Sequence, residues 1–297
     1  MNEISFVKTD LLNIAYEERG ERSGFPVILL HGWPDDVRTW DGVVGRLNEA
    51  GYRTITPYLR GFGPTRFRET SVMRSGQVSA LGSDVIEMAQ ALRLDQFALV
   101  GHDWGARAAY IAASECGEHI SHLVTISVGY GTNNPDQQLP LLQIRNYWYH
   151  WYFSLPRGID LVTNSRRQLC KFLWESWSPT WQFREADYLM TAPSFDNPDW
   201  AEVTIHSYRH RWGYAEGDPH YSMLEHRLSS VPRVTVPTLL LHGDADACND
   251  PVTSANKESL FLDRYERKLL PNIGHFPQRE NPKTVADEIL TWLQNKP

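Results

Sequence analysis

The pentapeptide Gly-His-Asp-Trp-Gly at 101–105 restricts the fold of this chain more than any other feature. It follows an apolar run at 97–100 and precedes an alanine-rich stretch at 106–113. Its two glycines allow tight turns and close backbone approaches that other residues resist. The pattern predicts a sharp turn between a buried strand and a helix, with the side chain of Asp103 presented at the turn.

Four short apolar runs, at 26–30, 97–100, 123–126 and 238–241, lack any alternation of polar and apolar residues. This pattern is typical of strands buried on both faces, as in a parallel sheet covered by helices. Apolar residues at helical spacing lie between and after these runs, at Val85, Met88, Ala89 and Leu92 and again at Val285, Ile289 and Leu293. We therefore predict an α/β fold.

The middle of the chain has a different composition. At 297 residues the chain exceeds one compact core of typical size, so we expect a core with an insertion rather than two unrelated domains. From about 134 to 232 the apolar runs disappear, and tryptophan, tyrosine and arginine become frequent. We predict an all-helical cap at 134–232, inserted after the sixth strand of a core formed by 1–133 and 233–297.

Charge and composition argue against several classes of partner. The net charge of −7 disfavours nucleic acid and anionic membranes. No window is apolar enough to span a bilayer, and the first residues do not have the form of a signal peptide. The cysteines are odd in number and fit no metal spacing: Cys116, Cys170 and Cys248. We expect a cytoplasmic protein without metal or cofactor, and the sequence leaves homodimer formation open.

Asp103 is the candidate nucleophile. A serine at this turn would suit acyl transfer, whereas a carboxylate attacks an ester carbonyl poorly and a saturated carbon with a leaving group well. The expected substrate is therefore an electrophilic carbon, as in an epoxide or an alkyl halide. The alternative role, a cap of the following helix, is common for aspartate. The flanking glycines and the preceding apolar run favour the nucleophile.

His275 is the candidate base, because it follows the nucleophile in the chain order nucleophile, acid, histidine. An imidazole near its normal pKa can take a proton from water at pH 7. The acid that orients it should follow the run at 238–241. We favour Asp246 over Asp244, because a side chain farther into the loop can reach toward His275. Asp250 is the third choice. An ordinary turn is the alternative role for each.

The sequence His-Gly-Trp-Pro at 31–34 follows the first apolar run. In a strand-turn-helix arrangement of this kind, two backbone N–H groups form an oxyanion hole, one after that glycine and one after the nucleophile. The predicted donors are the amides of Trp33 and Trp104. A plain turn is the alternative for 31–34.

Together, the motifs at 31–34, 101–105, 243–246 and 274–275 resemble those of the α/β-hydrolase superfamily, in its aspartate-nucleophile branch of epoxide hydrolases and dehalogenases. The resemblance covers nearly the whole chain. It implies a mostly parallel eight-stranded sheet flanked by helices, with an inserted helical cap. Epoxide hydrolases of the family carry two cap tyrosines that donate hydrogen bonds to the epoxide oxygen, and Tyr149 and Tyr208 match them. The alternative is that these tyrosines only pack the cap.

Dehalogenases of the same branch are the rival interpretation. Haloacetate dehalogenases resemble the chain at His150 and Trp151, which would hold the halide, and at Arg107, which matches one arginine that holds the substrate carboxylate. However, Trp104 replaces their arginine after the nucleophile, and 125–129 contains no acid where they place it. In haloalkane dehalogenases Trp104 would form half of a halide clamp, but Trp33 replaces their usual asparagine.

We therefore predict an epoxide hydrolase that opens an epoxide to a diol through a covalent ester on Asp103, with a small electrophilic substrate and water as its partners. A dehalogenase with the same nucleophile is the alternative. A noncatalytic binding protein on the same fold is least favoured, because no catalytic group is missing. The expected pocket residues are His31, His150, Trp151 and Arg107, and Arg209 and Arg211 beside Tyr208 are expected to pair with acids of the cap.

Overall fold

Nine strands form one sheet in the computed structural model, which describes residues 3–131 and 137–294. Their bounds are β1 Ile4–Lys8, β2 Leu12–Arg19, β3 Pro26–Leu30, β4 Arg53–Pro57, β5 Arg66–Phe67, β6 Phe97–His102, β7 Ile120–Ile126, β8 Thr238–Gly243 and β9 Tyr265–Leu270. The sheet order is β1-β2-β4-β3-β6-β7-β8-β9. Every neighbouring pair from β4 to β9 in this order is parallel. Strand β2 pairs antiparallel with both β1 and β4.

The prediction of a mostly parallel sheet is confirmed, and the eight strands of the main order match the expected number. A ninth strand was not predicted. The two-residue β5 pairs antiparallel with the first residues of β2, Leu12 and Asn13, whereas β4 pairs with residues 16–19 of the same strand. Strand β5 thus extends one side of β2 beyond the end of β4.

Helices cover both faces of the sheet, which explains the uniformly apolar runs. The core helices are α1 Asp41–Glu49, α2 Val78–Ala91, α3 Trp104–Glu115, α11 Pro277–Glu280 and α12 Pro282–Gln294. In β3, Ile28 and Leu30 pack into the cluster that includes α2 and α3, while Val27 and Leu29 pack into the cluster that includes α1 and α12. Because successive strand residues point to opposite faces, both sets must be apolar.

Seven helices lie between β7 and β8 in the described residues, and 137–232 contains no strand there. They are α4 Leu141–Asn146, α5 Trp148–Tyr152, α6 Pro156–Asn164, α7 Arg166–Trp177, α8 Glu185–Thr191, α9 Trp200–Arg211 and α10 Ser222–Leu228. This segment follows the sixth strand of the main order. The predicted start of the cap at 134 lies outside the described residues, so the domain limits stay predictions.

Aromatic packing and hydrogen bonds fasten these helices to the core. The ring of Trp33, in the loop after β3, contacts Tyr149, Phe153, Trp177 and Tyr208 from the inserted helices. From α7, the Trp174 indole donates to the Pro34 carbonyl at 2.7 Å. None of the helices in 3–131 or 137–294 has both the length and the apolar character needed to cross a bilayer.

Candidate active site

The turn at 101–105 has the strained geometry that its sequence predicts. Strand β6 ends at His102, helix α3 begins at Trp104, and Asp103 between them has φ 48° and ψ −112°. A Cβ at Gly101 would lie 2.3 Å from the Gly105 carbonyl oxygen, and one at Gly105 would lie 2.4 Å from the Leu30 carbonyl oxygen. Both glycines are therefore required by close backbone contacts. The Asp103 side chain forms no capping hydrogen bond with α3, so it is available to the site.

The two carboxylate oxygens of Asp103 have different neighbours. Oδ1 accepts a hydrogen bond of 2.9 Å from the backbone N–H of Trp33. Oδ2 lies 3.9 Å from Nε2 of His275, beyond direct hydrogen-bond distance. The second predicted donor, the amide of Trp104, belongs to the first residue of α3, at the positive end of the helix dipole. One oxygen is thus held by an amide, and the other faces the imidazole.

His275 follows β9, and its ring is fixed by Asp246. Its Nδ1 lies 2.9 Å from Asp246 Oδ2. Asp246 Oδ1 accepts from the backbone N–H groups of Cys248 at 2.8 Å and Asn249 at 2.9 Å, which holds the carboxylate in place. The backbone of His275 is held as well, since its N–H donates to Ser178 Oγ at 2.8 Å. The imidazole is therefore positioned with Nε2 toward Asp103.

Burial and charge shift the titration of this pair in opposite directions. Burial by itself lowers the pKa of His275, but the neighbouring carboxylates of Asp246 and Asp103 raise that pKa above its ordinary value. Burial by itself raises the pKa of Asp246, but His275 and the adjacent His242 hold that pKa well below its usual range. Asp246 thus stays ionised and favours the imidazolium form of His275.

The other two candidate acids have separate hydrogen-bond partners. Asp244 is exposed and accepts from the Asn272 backbone N–H at 2.7 Å. Asp250 accepts from the Val252 backbone N–H at 2.9 Å and begins a short 3₁₀ helix. Both are turn residues, and of the three candidates Asp246 is the one whose carboxylate contacts His275.

Tyr149 of α5 and Tyr208 of α9 lie together beside Asp103. Their ring centres are 5.2 Å apart, and both rings pack against Trp33. Burial is the main cause that raises the pKa of both phenols well above the ordinary value, followed by Cys248 for Tyr149 and by Asp103 for Tyr208, so both keep their protons. The Trp104 indole donates to the Tyr208 hydroxyl at 3.2 Å, which leaves the Tyr208 proton free to donate elsewhere.

The four predicted pocket residues occupy different positions. His31 is fully buried and holds two loops, with Nδ1 2.9 Å from the Gly32 carbonyl oxygen and Nε2 accepting from the Leu59 N–H at 3.0 Å. Burial lowers its pKa to about 4, so it is neutral. Because both ring nitrogens are engaged by the backbone, we assign His31 to loop support rather than to substrate contact.

His150 lies near Tyr208 and Arg107 near Asp103, whereas Trp151 lies farther out. The ring centre of His150 is 4.6 Å from that of Tyr208. Arg107 lies one turn after Asp103 on α3 and lines a cavity of about 300 Å³. Trp151 is half-buried and packs against Trp212, with ring centres 4.8 Å apart.

Two buried residues near the site were not predicted to act there. Cys248 Sγ lies 3.5 Å from the Tyr149 hydroxyl oxygen. Arg211 lies over the ring of Tyr208, with its guanidinium carbon 5.1 Å from the ring centre. The expected pairing of Arg209 and Arg211 with cap acids is absent from the described residues, in which neither forms an ion pair. The sequence could have indicated the contact between Arg211 and Tyr208, because residues three apart on a helix share one face.

Comparison with known proteins identifies the family. Residues 26–282 match the family model described as alpha/beta hydrolase fold, so the chain belongs to this family and its predicted fold class is confirmed. A curated epoxide hydrolase from Caballeronia sordidicola is 25% identical over 97% of this chain and 92% of its own length. The soluble epoxide hydrolase of Corynebacterium sp. strain C12 is 29% identical over 91% of each chain.

A solved structure agrees with these relatives. The crystal structure of an epoxide hydrolase candidate from Klebsiella pneumoniae has a TM-score of 0.94 and 38% identity, covering 98% of this chain and 97% of its own. An epoxide hydrolase from Vigna radiata, at 21% identity and a TM-score of 0.79, shares the fold. The chain is a hydrolase that is similar to epoxide hydrolases, as its motifs predicted.

Proposed function

We propose that this enzyme opens epoxides to diols through a covalent ester on Asp103. The observation that carries the proposal is the arrangement around one buried carboxylate. Asp103 accepts from the Trp33 amide and faces the imidazole of His275, and its charge acts on the phenols of Tyr149 and Tyr208. A nucleophile, a base and two neutral acids in one enclosed site suit an epoxide, whose oxygen leaves badly unless it is protonated.

The first step is alkylation of Asp103. Oδ2, the oxygen that the Trp33 amide does not hold, attacks one epoxide carbon and breaks its bond to the ring oxygen. Tyr149 or Tyr208 donates a hydrogen bond, and then its proton, to that oxygen. The remaining oxygen, Oδ1, becomes the ester carbonyl while it stays on the Trp33 amide. Attack needs no base, because a carboxylate nucleophile, unlike a hydroxyl, has no proton to lose when it forms the new bond.

The second step is hydrolysis of the ester. A water molecule between His275 Nε2 and the ester gives its proton to the imidazole, and the resulting hydroxide attacks the carboxyl carbon of Asp103. The amides of Trp33 and Trp104 stabilise the negative charge that forms on Oδ1, and the loss of one such donor typically costs about 100- to 1000-fold in rate. The intermediate then breaks its bond to Oδ2, which takes the remaining hydrogen of the attacking hydroxide and leaves as a hydroxyl of the diol. The proton on His275 returns through water to the phenolate left by the first step, so both groups are restored. Asp246 stabilises the imidazolium of His275.

Isotope labelling tests the covalent route. After one turnover of an epoxide in heavy-oxygen water, mass spectrometry should find the label in the peptide that contains Asp103, because water attacks the carboxyl carbon. His275→Gln should accumulate the alkylated peptide and slow turnover by about 100- to 10,000-fold, since attack does not need the base but hydrolysis does. Label in the diol alone after one turnover would exclude the ester.

A dehalogenase is the second candidate, and one observation favours it. His150 Nε2 and Trp151 Nε1 are buried without hydrogen-bond partners in the described residues, so they could donate to a halide. Against the haloalkane form, Trp104 Nε1 already donates to Tyr208. Tyr149→Phe combined with Tyr208→Phe should abolish epoxide opening and spare halide displacement. Release of halide without diol from a panel of epoxides, haloalkanes and haloacetates would favour the dehalogenase.

A further inference from the structure

His242, near the end of β8, is a fully buried histidine that contacts the catalytic acid. Its Nε2 lies 3.2 Å from Asp246 Oδ2, the same oxygen that lies 2.9 Å from Nδ1 of His275. Nε2 also lies 3.0 Å from the backbone carbonyl oxygen of Asn249. Both neighbours of Nε2 only accept hydrogen bonds, so Nε2 carries a proton in either charge state of the ring. One oxygen of the catalytic acid therefore faces the N–H groups of two histidines.

The other ring nitrogen of His242 fixes the orientation of its ring. Nδ1 lies 2.8 Å from Oγ of Ser254, which is fully buried. Arg267 on β9 donates from Nε to the same hydroxyl oxygen at 2.9 Å and from Nη2 to the Pro251 carbonyl at 2.6 Å. Ser254 and Arg267 thus hold the ring with Nε2 toward Asp246. A connected series of polar contacts leads from Arg267 on β9 to the catalytic acid.

The carboxylate of Asp246 has two neighbouring N–H groups at each oxygen. Oδ1 accepts from the backbone N–H groups of Cys248 and Asn249. Oδ2 faces His275 and His242. Burial by itself raises the pKa of Asp246, whereas His275 and, after it, His242 lower that pKa. Two N–H groups at one acceptor oxygen compete for its negative charge, so each weakens the interaction of the other.

We propose that His242 is a positioning residue that holds Asp246 and limits how strongly this acid stabilises the protonated form of His275. The inference rests on the proposed epoxide hydrolysis, in which His275 must be neutral to accept a proton from water. Without the N–H of His242, Asp246 would act on His275 alone, and the imidazolium would persist to higher pH. His242 thus widens the pH range in which His275 serves as the base.

The other titratable groups that face these histidines are unchanged in a variant of His242. Those that face His275 are Asp246, Asp103, His102 and Glu280. Burial lowers the pKa of His102 to about 4, so its ring stays neutral above that pH. Near His242 and Asp246 lie the guanidinium of Arg267 and the thiol of Cys248. Burial raises the pKa of that thiol well above its ordinary value, so it keeps its proton. A change in the titration of His275 therefore reports the loss of the N–H at 242.

Two amide side chains of different length separate the roles of the two ring nitrogens. Glutamine can place its amide N–H near the position of Nε2, whereas asparagine is one bond shorter and reaches only toward Ser254. His242→Asn should raise the pKa of His275 by about 0.5–1.5, because Oδ2 of Asp246 loses one of its two N–H neighbours. His242→Gln should keep this pKa close to that of the wild type. NMR of enzyme labelled at the Cε1 atoms of histidine, with His275→Gln to assign the signal, measures the titration without substrate.

Single-turnover hydrolysis of the ester gives the kinetic counterpart. In His242→Asn the fall in rate at acidic pH should begin at higher pH, so the rate in that range should be about 3- to 30-fold below wild type. The rate at high pH, where His275 is neutral in both enzymes, should change little. A merely structural role for His242 would lower the rate at every pH and leave the titration of His275 in place. That outcome would overturn the proposal.

His122→Asn is the matched control. His122 is a buried histidine of the neighbouring strand β7, and it pairs with Ala98 near the start of β6, away from Asp103. Its replacement should leave the pKa of His275 unchanged, and a rise equal to that in His242→Asn would contradict the assignment.

Ser254→Ala replaces His242→Asn if that variant does not fold. Loss of the hydroxyl frees the ring of His242 to turn away from Asp246, so the pKa of His275 should rise by a smaller amount. No rise in Ser254→Ala would count against the role of His242.

The titration of the free enzyme separates this proposal from the proposed function. If the pKa of His275 rises in His242→Asn but no epoxide yields diol, the epoxide assignment fails and the role of His242 stands. If epoxides yield diol through an ester on Asp103 and the pKa of His275 is the same in wild type and His242→Asn, the role of His242 fails alone.

Discussion

The hydrogen bonds of Asp103 assign different roles to its two oxygens. The Trp33 amide holds Oδ1, which becomes the carbonyl of the proposed ester, whereas Oδ2 faces His275 and is free to attack. The sequence predicts the nucleophile, the base and the acid, but it does not predict that the two oxygens of Asp103 have different roles. The distinction arises from the loop after β3, which brings Trp33 against a residue 70 positions away in the chain.

His275 should determine how the rate of ester hydrolysis falls at acidic pH, the acid limb of the pH–rate profile. His275 must be neutral to accept a proton from water, and its carboxylate neighbours raise its pKa. Ester hydrolysis should therefore slow as pH falls through this raised pKa. Asp246→Asn removes a charge that raises it, so the limb should move to lower pH while the maximal rate falls, because the imidazolium loses its partner. Single-turnover hydrolysis measured from pH 5 to 9 checks both effects, and an unmoved limb would contradict this role of Asp246.

At the scale of elements, the sequence locates four inner strands from their apolar runs and places a last strand before His275, but it gives no signal for the edge strand β1. Strands β3, β6, β7 and β8 are buried on both faces, so they are recognised as unbroken apolar runs. Strand β1 alternates between exposed and half-buried residues, and β9 is half-buried with charged residues at 266–268. Edge strands cover less of the core, and their composition resembles that of a loop.

The sharp turn at 101–105 gives a testable prediction at this scale. Gly105→Ala places a Cβ 2.4 Å from the Leu30 carbonyl oxygen, which belongs to rigid backbone. We expect a loss of about 1–3 kcal/mol in the free energy of unfolding, the usual cost of overpacking a core. Urea titration followed by tryptophan fluorescence measures it.

Gly45→Ala is the matched control, because Gly45 is an exposed residue of α1 with no neighbour within 4 Å of a new Cβ. It should be neutral or should gain about 0.5–1 kcal/mol through helix propensity. Equal effects of the two substitutions would show that the backbone contact at Gly105 costs nothing.

At the scale of the whole molecule, a buried acidic group joins the core to the inserted helices. Asp36, in the loop after β3, accepts hydrogen bonds from Thr191 at 3.0 Å and Ser194 at 2.5 Å. The adjacent Asp35 pairs with Arg279, which is 244 positions away in the chain. No local pattern predicts such a contact, because its members meet only after the inserted segment folds onto the core.

This junction should make stability depend on pH. Burial, followed by the charge of Asp35, raises the pKa of Asp36 from 3.8 to about 7. Between these values the folded state binds more protons at Asp36 than the unfolded state does. The free energy of unfolding should therefore decrease as pH rises from about 4 to about 7, by on the order of 4 kcal/mol at most.

Asp36→Asn tests this linkage, because asparagine mimics the protonated acid. The free energy of unfolding of this variant, measured by urea titration from pH 4 to 7, should rise relative to wild type as pH increases. Asp95→Asn, at an exposed position, is the control and should follow the wild-type curve. Parallel curves for wild type and Asp36→Asn would show that Asp36 does not titrate in this range.

The sequence by itself determined the central sheet, the sharp turn at Asp103 and the chain order of Asp103, Asp246 and His275. Each depends on short-range rules, namely strand burial, glycine at a strained turn and the position of a residue after a strand. Only the tertiary structure showed that Asp246, which the sequence favoured over Asp244, contacts His275, that His31 supports loops, and that Arg211 lies over Tyr208. These depend on side chains brought together from distant segments, and the distances between them are set by packing that local composition does not encode.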